Sequence, residues 1–246
     1  MFRLTSPHLS LIAATVAISL PACGGNVPTM ETHRRVIGRN STTMPVYPIG
    51  TVTLQSAGVW KEYNHLTTTV LDPTAMTGGL MASTRYWLYA IDDAGAIAFE
   101  VSTTGPEEGL LFKMGDNTRW FLSTFSTDAG GNLVAFEQVD EEFTLSTNQP
   151  ILNSGSETVT APIAFGTMYP PQAHRVYYSA YINASSSGNY ADIIEGGYVR
   201  TRLKDDGVSG TYAQGFANVS LSGGTLSYRV SSSEVQLTVE PLGFRM

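Results

Sequence analysis

The stretch Thr84-Arg-Tyr-Trp-Leu-Tyr-Ala-Ile-Asp-Asp-Ala-Gly-Ala-Ile-Ala-Phe-Glu-Val101 predicts a β-hairpin and sets the pattern for the rest of the chain. Residues 86–91 are aromatic and aliphatic, which suits a pleated strand. Residues 92–95, Asp-Asp-Ala-Gly, have turn chemistry, because Asp bonds to nearby backbone and Gly adopts positive φ readily. Residues 97–101 then alternate between large apolar and small or polar side chains, so one face of the second strand is predicted to be buried.

The first strand of this hairpin is apolar on both faces. Tyr86 and Leu88 point to one side, and Trp87 and Tyr89 point to the other. A strand of this kind is typical of a position covered on both sides. We therefore expect it to lie centrally in a sandwich or to be covered by another subunit.

A second hairpin is predicted from a similar pattern. Residues 119–125 form an aromatic strand, residues 127–132 form an Asp- and Gly-rich turn, and residues 133–139 form the returning strand.

Composition favours an all-β protein with many tight turns. The chain has 24 Gly, 14% charged residues and 42% hydrophobic residues, enough apolar material for a core. Turn signals recur about every 8–12 residues, the spacing of a β-sandwich. We predict two consecutive antiparallel β-sandwich or jelly-roll-like domains, 46–148 and 149–246, after a polar linker or arm at 24–45 and an apolar segment at 1–23.

The N-terminal segment has the features of a secretory signal. Arg3 precedes a short apolar run, residues 9–20, and small residues follow. Leu20-Pro-Ala-Cys23 resembles a bacterial lipobox, which implies that Cys23 is a candidate for lipidation. Two alternatives stay open: an anchoring arm that is not cleaved, and a chain that starts at Met44.

Part of the chain resembles structural proteins of tailed bacteriophages. The resemblance is carried by Tyr86-Trp-Leu-Tyr-Ala90, Glu100-Val-Ser-Thr-Thr104 and Lys113-Met-Gly-Asp-Asn-Thr-Arg119, within a block at 86–136 that makes up about a fifth of the chain. It implies a β-sandwich protein of the capsid surface, head fibre or tail. The shared motifs are structural, so no binding residue is implied by them.

Several classes of chemistry have no support in the sequence. A net charge of −7 with 14 scattered Lys and Arg argues against a nucleic-acid partner. A single cysteine excludes an intrachain disulfide and a zinc site made of several thiolates. The sequence lacks the motifs of hydrolase nucleophiles and of phosphate-binding loops. His65 and His174 lack a second ligand at metal spacing and are predicted to lie in surface loops. We expect no enzyme activity, no cofactor and no metal.

The expected function is therefore assembly. Large aromatic side chains dominate interface energy, and five are predicted to contact other chains: Trp87, Tyr89, Trp120, Tyr177 and Tyr181. The expected partners are the chain itself, as a homotrimer, and other virion proteins, with a host-surface glycan as a further possibility. A membrane is a partner only if Cys23 is lipidated. The alternative is a bacterial surface lipoprotein, attached to the outer membrane or cell surface by its lipid, that binds a glycan or protein.

Overall fold

A computed structural model describes residues 34–56, 58–107, 112–146, 149–166, 168–205, 211–218 and 226–246. The all-β prediction is confirmed: these ranges form several antiparallel sheets and one short helix. In chain order the elements are β1 (Arg35–Gly38), β2 (Met44–Val46), β3 (Gly50–Ser56), β4 (Val59–His65), β5 (Thr69–Leu71), α1 (Pro73–Thr77), β6 (Arg85–Asp93), β7 (Ala96–Ser102), β8 (Phe112–Lys113), β9 (Asp116–Ser126), β10 (Ala135–Val139), β11 (Glu142–Ser146), β12 (Leu152–Gly155), β13 (Ala161–Pro162), β14 (Arg175–Asn183), β15 (Tyr190–Glu195), β16 (Tyr198–Lys204), β17 (Thr211–Asn218), β18 (Leu226–Val230) and β19 (Gln236–Arg245).

The first predicted hairpin is confirmed as β6 and β7. Asp93 pairs with Ala96, which leaves Ala94 and Gly95 as a two-residue turn. Both turn residues have positive φ, 51° and 91°, as in the type I′ turn whose twist matches the flanking strands. The backbone N–H of Gly95 donates to the Asp92 carboxylate at 2.8 Å, so the local sequence fixes this turn.

The second predicted hairpin begins as expected and then separates. Thr127 and Leu133 form an isolated bridge. Beyond it, β9 pairs with β6 and β8, whereas β10 pairs with β1 and β11 in a different sheet. The rings of Phe125 and Phe136 lie parallel, 6.4 Å apart. Both strands bury an apolar face in the same core from different sheets, and this explains why the hairpin prediction was wrong beyond the turn.

The largest sheet has nine strands in the order β17-β14-β19-β11-β10-β1-β2-β5, with β12 also paired to β19. Its central strand β19 pairs with β14 on one side and with β11 on the other. The domain boundary predicted at 148/149 therefore falls within one hydrogen-bonded sheet and is corrected. The predicted boundary lies between β11 and β12 in the chain, and sequence-local signals carry no information on which distant strands pair.

The predicted linker also contributes to this sheet. The described part of the 24–45 segment contains β1 and most of β2, and Val36 and Met44 within it are buried. Val36 pairs with Val46 on one side and with Gln138 on the other. For these residues the linker prediction was wrong; residues 24–33 lie outside the described part of the chain.

One hydrophobic core serves all the sheets. Its members come from the nine-stranded sheet, from the four-stranded sheets β7-β6-β9-β8 and β13-β18-β15-β16, and from the β3–β4 hairpin. Phe143 and Phe244 stack at 4.4 Å between ring centroids, and Tyr169 meets Phe244 edge-on at 6.0 Å. The contact between Phe143 and Phe244 crosses the predicted boundary, so the two halves bury their apolar faces together.

The short helix α1 follows the strand β5 and has sequence signals at both of its ends. The backbone N–H of Ala75 donates to the Asp72 carboxylate at 3.0 Å, and Pro73 occupies the first turn. Gly78 ends the helix with a φ of 71°. Asp before Pro and a closing Gly are the residues expected at helix boundaries.

Candidate functional site

Three of the five predicted contact residues lie inside the chain. Trp87, Tyr89 and Trp120 are 4%, 0% and 3% exposed. Trp120 belongs to the main core and meets Phe112 edge-on at 5.1 Å, whereas Trp87 and Tyr89 pack with Phe121 on the opposite face of β6. A ring buried in its own chain offers no area to a partner. The contact role predicted for these three residues is therefore corrected.

The chain itself covers this outer face of β6. The Tyr89 hydroxyl donates to the carbonyl oxygen of Thr104 at 2.8 Å. Gly105 lies against the Trp87 ring, and a Cβ at position 105 would crowd that ring at 3.1 Å. The segment after β7 thus folds back over the strand, so the strand with two apolar faces needs no second subunit to bury it.

An ion network completes this cover. Lys113 Nζ lies 2.6 Å from one carboxylate oxygen of Glu100, and Arg119 Nε lies 3.0 Å from the other. Burial opposes ionisation of Glu100, but the hydrogen bonds from Lys113 and Arg119 outweigh it and lower the pKa of Glu100. Burial also raises the pKa of Tyr89 below the network. Both groups keep their ordinary charge at neutral pH, and the network has a structural role.

Tyr177 and Tyr181 are the predicted contact residues that do reach the surface. They lie on β14, whose alternate residues Val176 and Tyr178 are buried in the core. Tyr181 is 37% exposed and Tyr177 is half-buried. Side chains of a strand alternate between its two faces, so β14 presents its tyrosines on the outside of the sheet.

Strand β17 adds two aromatic side chains that the sequence analysis did not single out. Tyr212 lies directly opposite Tyr181, and Phe216 lies directly opposite Tyr177. Tyr212 and Phe216 are each 56% exposed. The two cross-strand pairs are four residues apart, about 14 Å along the strands. We call the four residues Tyr177, Tyr181, Tyr212 and Phe216 the aromatic surface.

The aromatic residues of β17 point outward because the inner face has no room for large side chains. Ala217 is buried, and a Cβ at Gly215 would lie 2.7 Å from the Tyr178 hydroxyl oxygen. Small residues therefore face the core and the large rings of Tyr212 and Phe216 face solvent. This alternation of aromatic with Ala or Gly residues is the signal in the sequence that indicates an outward aromatic face.

Charged groups border the aromatic surface at one end. The Arg175 guanidinium lies 5.1 Å from the centroid of the Phe216 ring. Burial and a hydrogen bond with Glu142 raise the pKa of Tyr177. Arg245 lies 3.1 Å from Glu141, and this contact raises the pKa of Arg245. The surface is thus a set of exposed rings with a charged border.

This arrangement suits recognition. Phenyl and phenol rings bring a large contact area with few rotatable bonds, so ordering them on binding costs little entropy. A phenol with a raised pKa stays protonated at neutral pH and serves as a hydrogen-bond donor or acceptor.

A second polar cluster lies on the outside of the sheet β13-β18-β15-β16. Asp192 is fully buried and lies opposite Arg202 on one neighbouring strand and Arg229 on the other. Arg202 donates to both carboxylate oxygens at 2.6 and 2.8 Å, and Arg229 lies 3.0 Å from one of them. The hydrogen bond from Arg202 is the main cause of a lowered pKa of Asp192. One carboxylate thereby ties three strands together.

Two shallow cavities are lined by residues that the structure describes. One of about 350 Å³ lies between Tyr86 and the end of β7, beside the helix α1. Another of about 200 Å³ contains Asp92 and Arg119. The neighbouring hydroxyl of Ser56 is the main cause of a lowered pKa of Asp92, so this carboxylate stays ionised and is a weak base.

His65 was predicted to lie in a surface loop, and this prediction was wrong. It ends β4, is buried, and its Nε2 lies 2.9 Å from the Thr69 hydroxyl. Burial lowers the pKa of His65. Across the described ranges, no group of three or more His, Cys, Asp or Glu side chains is placed to hold a metal ion.

The predicted lipidation site Cys23 and the signal-like segment 1–23 lie outside the described residues. Among the residues that the structure describes, no helix has both the length and the apolar character needed to cross a lipid bilayer.

Comparison with known proteins gives one remote structural likeness. No family model and no curated protein sequence matches the chain. The crystal structure of the insecticidal delta-endotoxin Cry8Ea1 from Bacillus thuringiensis is similar with a TM-score of 0.24 and 9% identity, over 87% of this chain and 52% of that one. The chain spans about half the length of the toxin, and a likeness of this size carries no argument about fold or function.

Proposed function

We propose that the chain is a structural protein of a tailed-phage virion, on the capsid surface, in a head fibre or in the tail, and that it acts by binding other chains. The observation that carries this proposal is the aromatic surface, two cross-strand pairs of rings in which Tyr181, Tyr212 and Phe216 are exposed. The resemblance of residues 86–136 to phage structural proteins supports the choice of a virion as the assembly.

The composition of the aromatic surface supports binding to a protein. Tyr and Phe are enriched in the centres of protein interfaces, whereas Lys, Glu and Asp are depleted there. The charged groups Arg175, Glu142 and Arg245 lie at its border, where polar residues of an interface normally lie. Trp87 and Tyr89 are not part of this proposal, because they are buried and their packing stabilises the fold.

A paired substitution tests the role of the aromatic surface. We expect Tyr181→Ser with Tyr212→Ser to weaken self-association or incorporation into particles at least about tenfold, since interface aromatics often contribute 2 kcal/mol or more. Tyr198→Ser is the matched control, because Tyr198 is 74% exposed and lies on a different sheet. Sedimentation velocity and gradient-purified particles give the readouts. Equal loss in the control, or no loss in the pair, contradicts the proposal.

The alternative is a bacterial surface lipoprotein that binds a glycan or protein with the same rings. The Leu20-Pro-Ala-Cys23 sequence favours it. The intact mass of the mature chain separates the two. Loss of residues 1–22 with acylated Cys23, abolished by Cys23→Ser, supports the lipoprotein. A chain that keeps residues 1–22 within purified particles supports the virion protein.

A further inference from the structure

Strand β17 forms one edge of the nine-stranded sheet. All eight of its residues pair with β14, from Thr211 opposite Ile182 to Asn218 opposite Arg175, without a bulge. Within the described residues, no strand pairs with its other side. A regular edge of this length is a template for pairing with another strand.

The strand β17 itself lacks the charged residues and prolines that normally prevent such pairing. Thr211–Asn218 contains no charged residue and no proline. Elsewhere, the edge strand β16 carries Arg200, Arg202 and Lys204, and the two-residue edge strand β13 contains Pro162. Charges, prolines and short strands are the usual protection of sheet edges. The hairpin strand β3 is also neutral, but its outward residues are polar rather than aromatic.

The sequence of β17 is complementary to itself in one antiparallel register. When residue 214 of one copy lies opposite residue 214 of a second copy, Tyr212 of each chain lies opposite Phe216 of the other. Directly opposite side chains on one face of an antiparallel pair are in contact. Each row of rings then runs across the junction from one copy into the other. One row contains Tyr181 and Tyr212 of the first copy, followed by Phe216 and Tyr177 of the second copy. The two-fold axis generates a second, identical row.

We infer that two copies of this chain join through antiparallel pairing of their β17 strands, with the two-fold axis at Gln214. The inference rests on the proposed function, since it specifies the self-association. Pairing of two β17 strands produces a dimer, whereas the sequence analysis expected a trimer. Each copy carries a net charge of −7, so two copies repel each other, and an uncharged strand is a suitable place for contact.

A cysteine placed on the axis tests the register. In a full-length Cys23→Ser background, Gln214→Cys brings two thiols to directly opposite positions, where Cα atoms about 4.5–5.5 Å apart suit a disulfide. We expect mild oxidation to give covalent dimer at least about tenfold faster than for the control Thr211→Cys. In the inferred register the two Thr211 positions are about 20 Å apart.

Sedimentation equilibrium provides the second measurement. We expect Tyr212→Lys to raise the dimer Kd at least about tenfold with an unchanged melting temperature, because it places a charge at the junction on an exposed position. Association of the wild type with no preferential Gln214→Cys crosslink refutes the edge pairing and leaves the proposed function standing. A wild type that stays monomeric at every concentration refutes the pairing and removes self-association from the proposed function.

Discussion

Replacing Gly243 with alanine tests the strand junction that unites the two halves of the chain. Gly243 lies on β19, opposite Thr144 of β11 and Tyr177 of β14. A Cβ at this position would overlap the carbonyl oxygen of Phe143 and lie 3.1 Å from the carbonyl carbon. Both atoms belong to the backbone, so no side-chain rotation relieves the overlap and one strand must move.

The expected cost follows from the two effects of that movement. Inserting one carbon into a filled space typically costs about 1–3 kcal/mol. Each backbone hydrogen bond weakened between β11 and β19 costs about 1 kcal/mol more. With one such bond weakened, we expect Gly243→Ala to lower the free energy of unfolding by about 2–4 kcal/mol, a large part of the about 5–15 kcal/mol typical of a domain.

Urea titration followed by tryptophan fluorescence measures this loss, because Trp87 and Trp120 are buried and report on tertiary packing. Gly130→Ala is the matched control. Its new Cβ would meet only the side-chain ends of Asn132 and Asp128, so we expect a change within about 0.5 kcal/mol. If both variants unfold at the same urea concentration as the wild type, the junction is absent and the two halves fold separately.

Three further predictions concern the core and the buried charges. Trp87→Ala should lower the unfolding free energy by about 3–5 kcal/mol in urea titration; a variant of wild-type stability with impaired assembly would restore Trp87 as a contact residue. Asp192→Asn should cost about 2 kcal/mol in the same assay, because an NH2 group replaces one of the two oxygens that accept from Arg202 and the negative charge that pairs with Arg202 and Arg229 is lost. Burial depresses the folded pKa of His65, so its stabilising effect is complete above the unfolded pKa of about 6.5 and is lost as pH falls towards the folded pKa. Thermal melts between neutral and mildly acidic pH should therefore show a smaller loss for His65→Gln than for the wild type, and equal losses would contradict this.

The sequence predicted those parts of the fold that depend on neighbouring residues. The turn at Ala94 and Gly95 was predictable because Asp-Ala-Gly specifies the backbone and the strands on both sides are adjacent in the chain. The pairing of β11 with β19 was not, since many strands share the same alternation and none encodes its distant neighbour. A boundary was therefore predicted in a loop between two strands of one sheet.

Only part of the candidate site was predicted, because the exposure of a side chain also depends on segments that are distant in the sequence. Periodicity correctly placed Tyr181 on an outward face of β14. It also showed that Trp87 and Tyr89 lie on a second apolar face, but it could not show that residues 103–105 cover that face. Tyr212 and Phe216 were missed because their exposure depends on the small inward residues Gly215 and Ala217 packing against a neighbouring strand.

The central position of β19 has a consequence for biosynthesis. Ribosomes synthesise β19 after every other described strand, yet it separates β11 from β14 and pairs with both. Until β19 emerges, β11 and β14 each lack one neighbouring strand. The nascent chain then exposes a gap with unpaired backbone amides and apolar rings. Such a gap attracts other strands. The nine-stranded sheet therefore cannot close until β19 has been synthesised, and the interval before closure is when a holdase chaperone would protect the chain most.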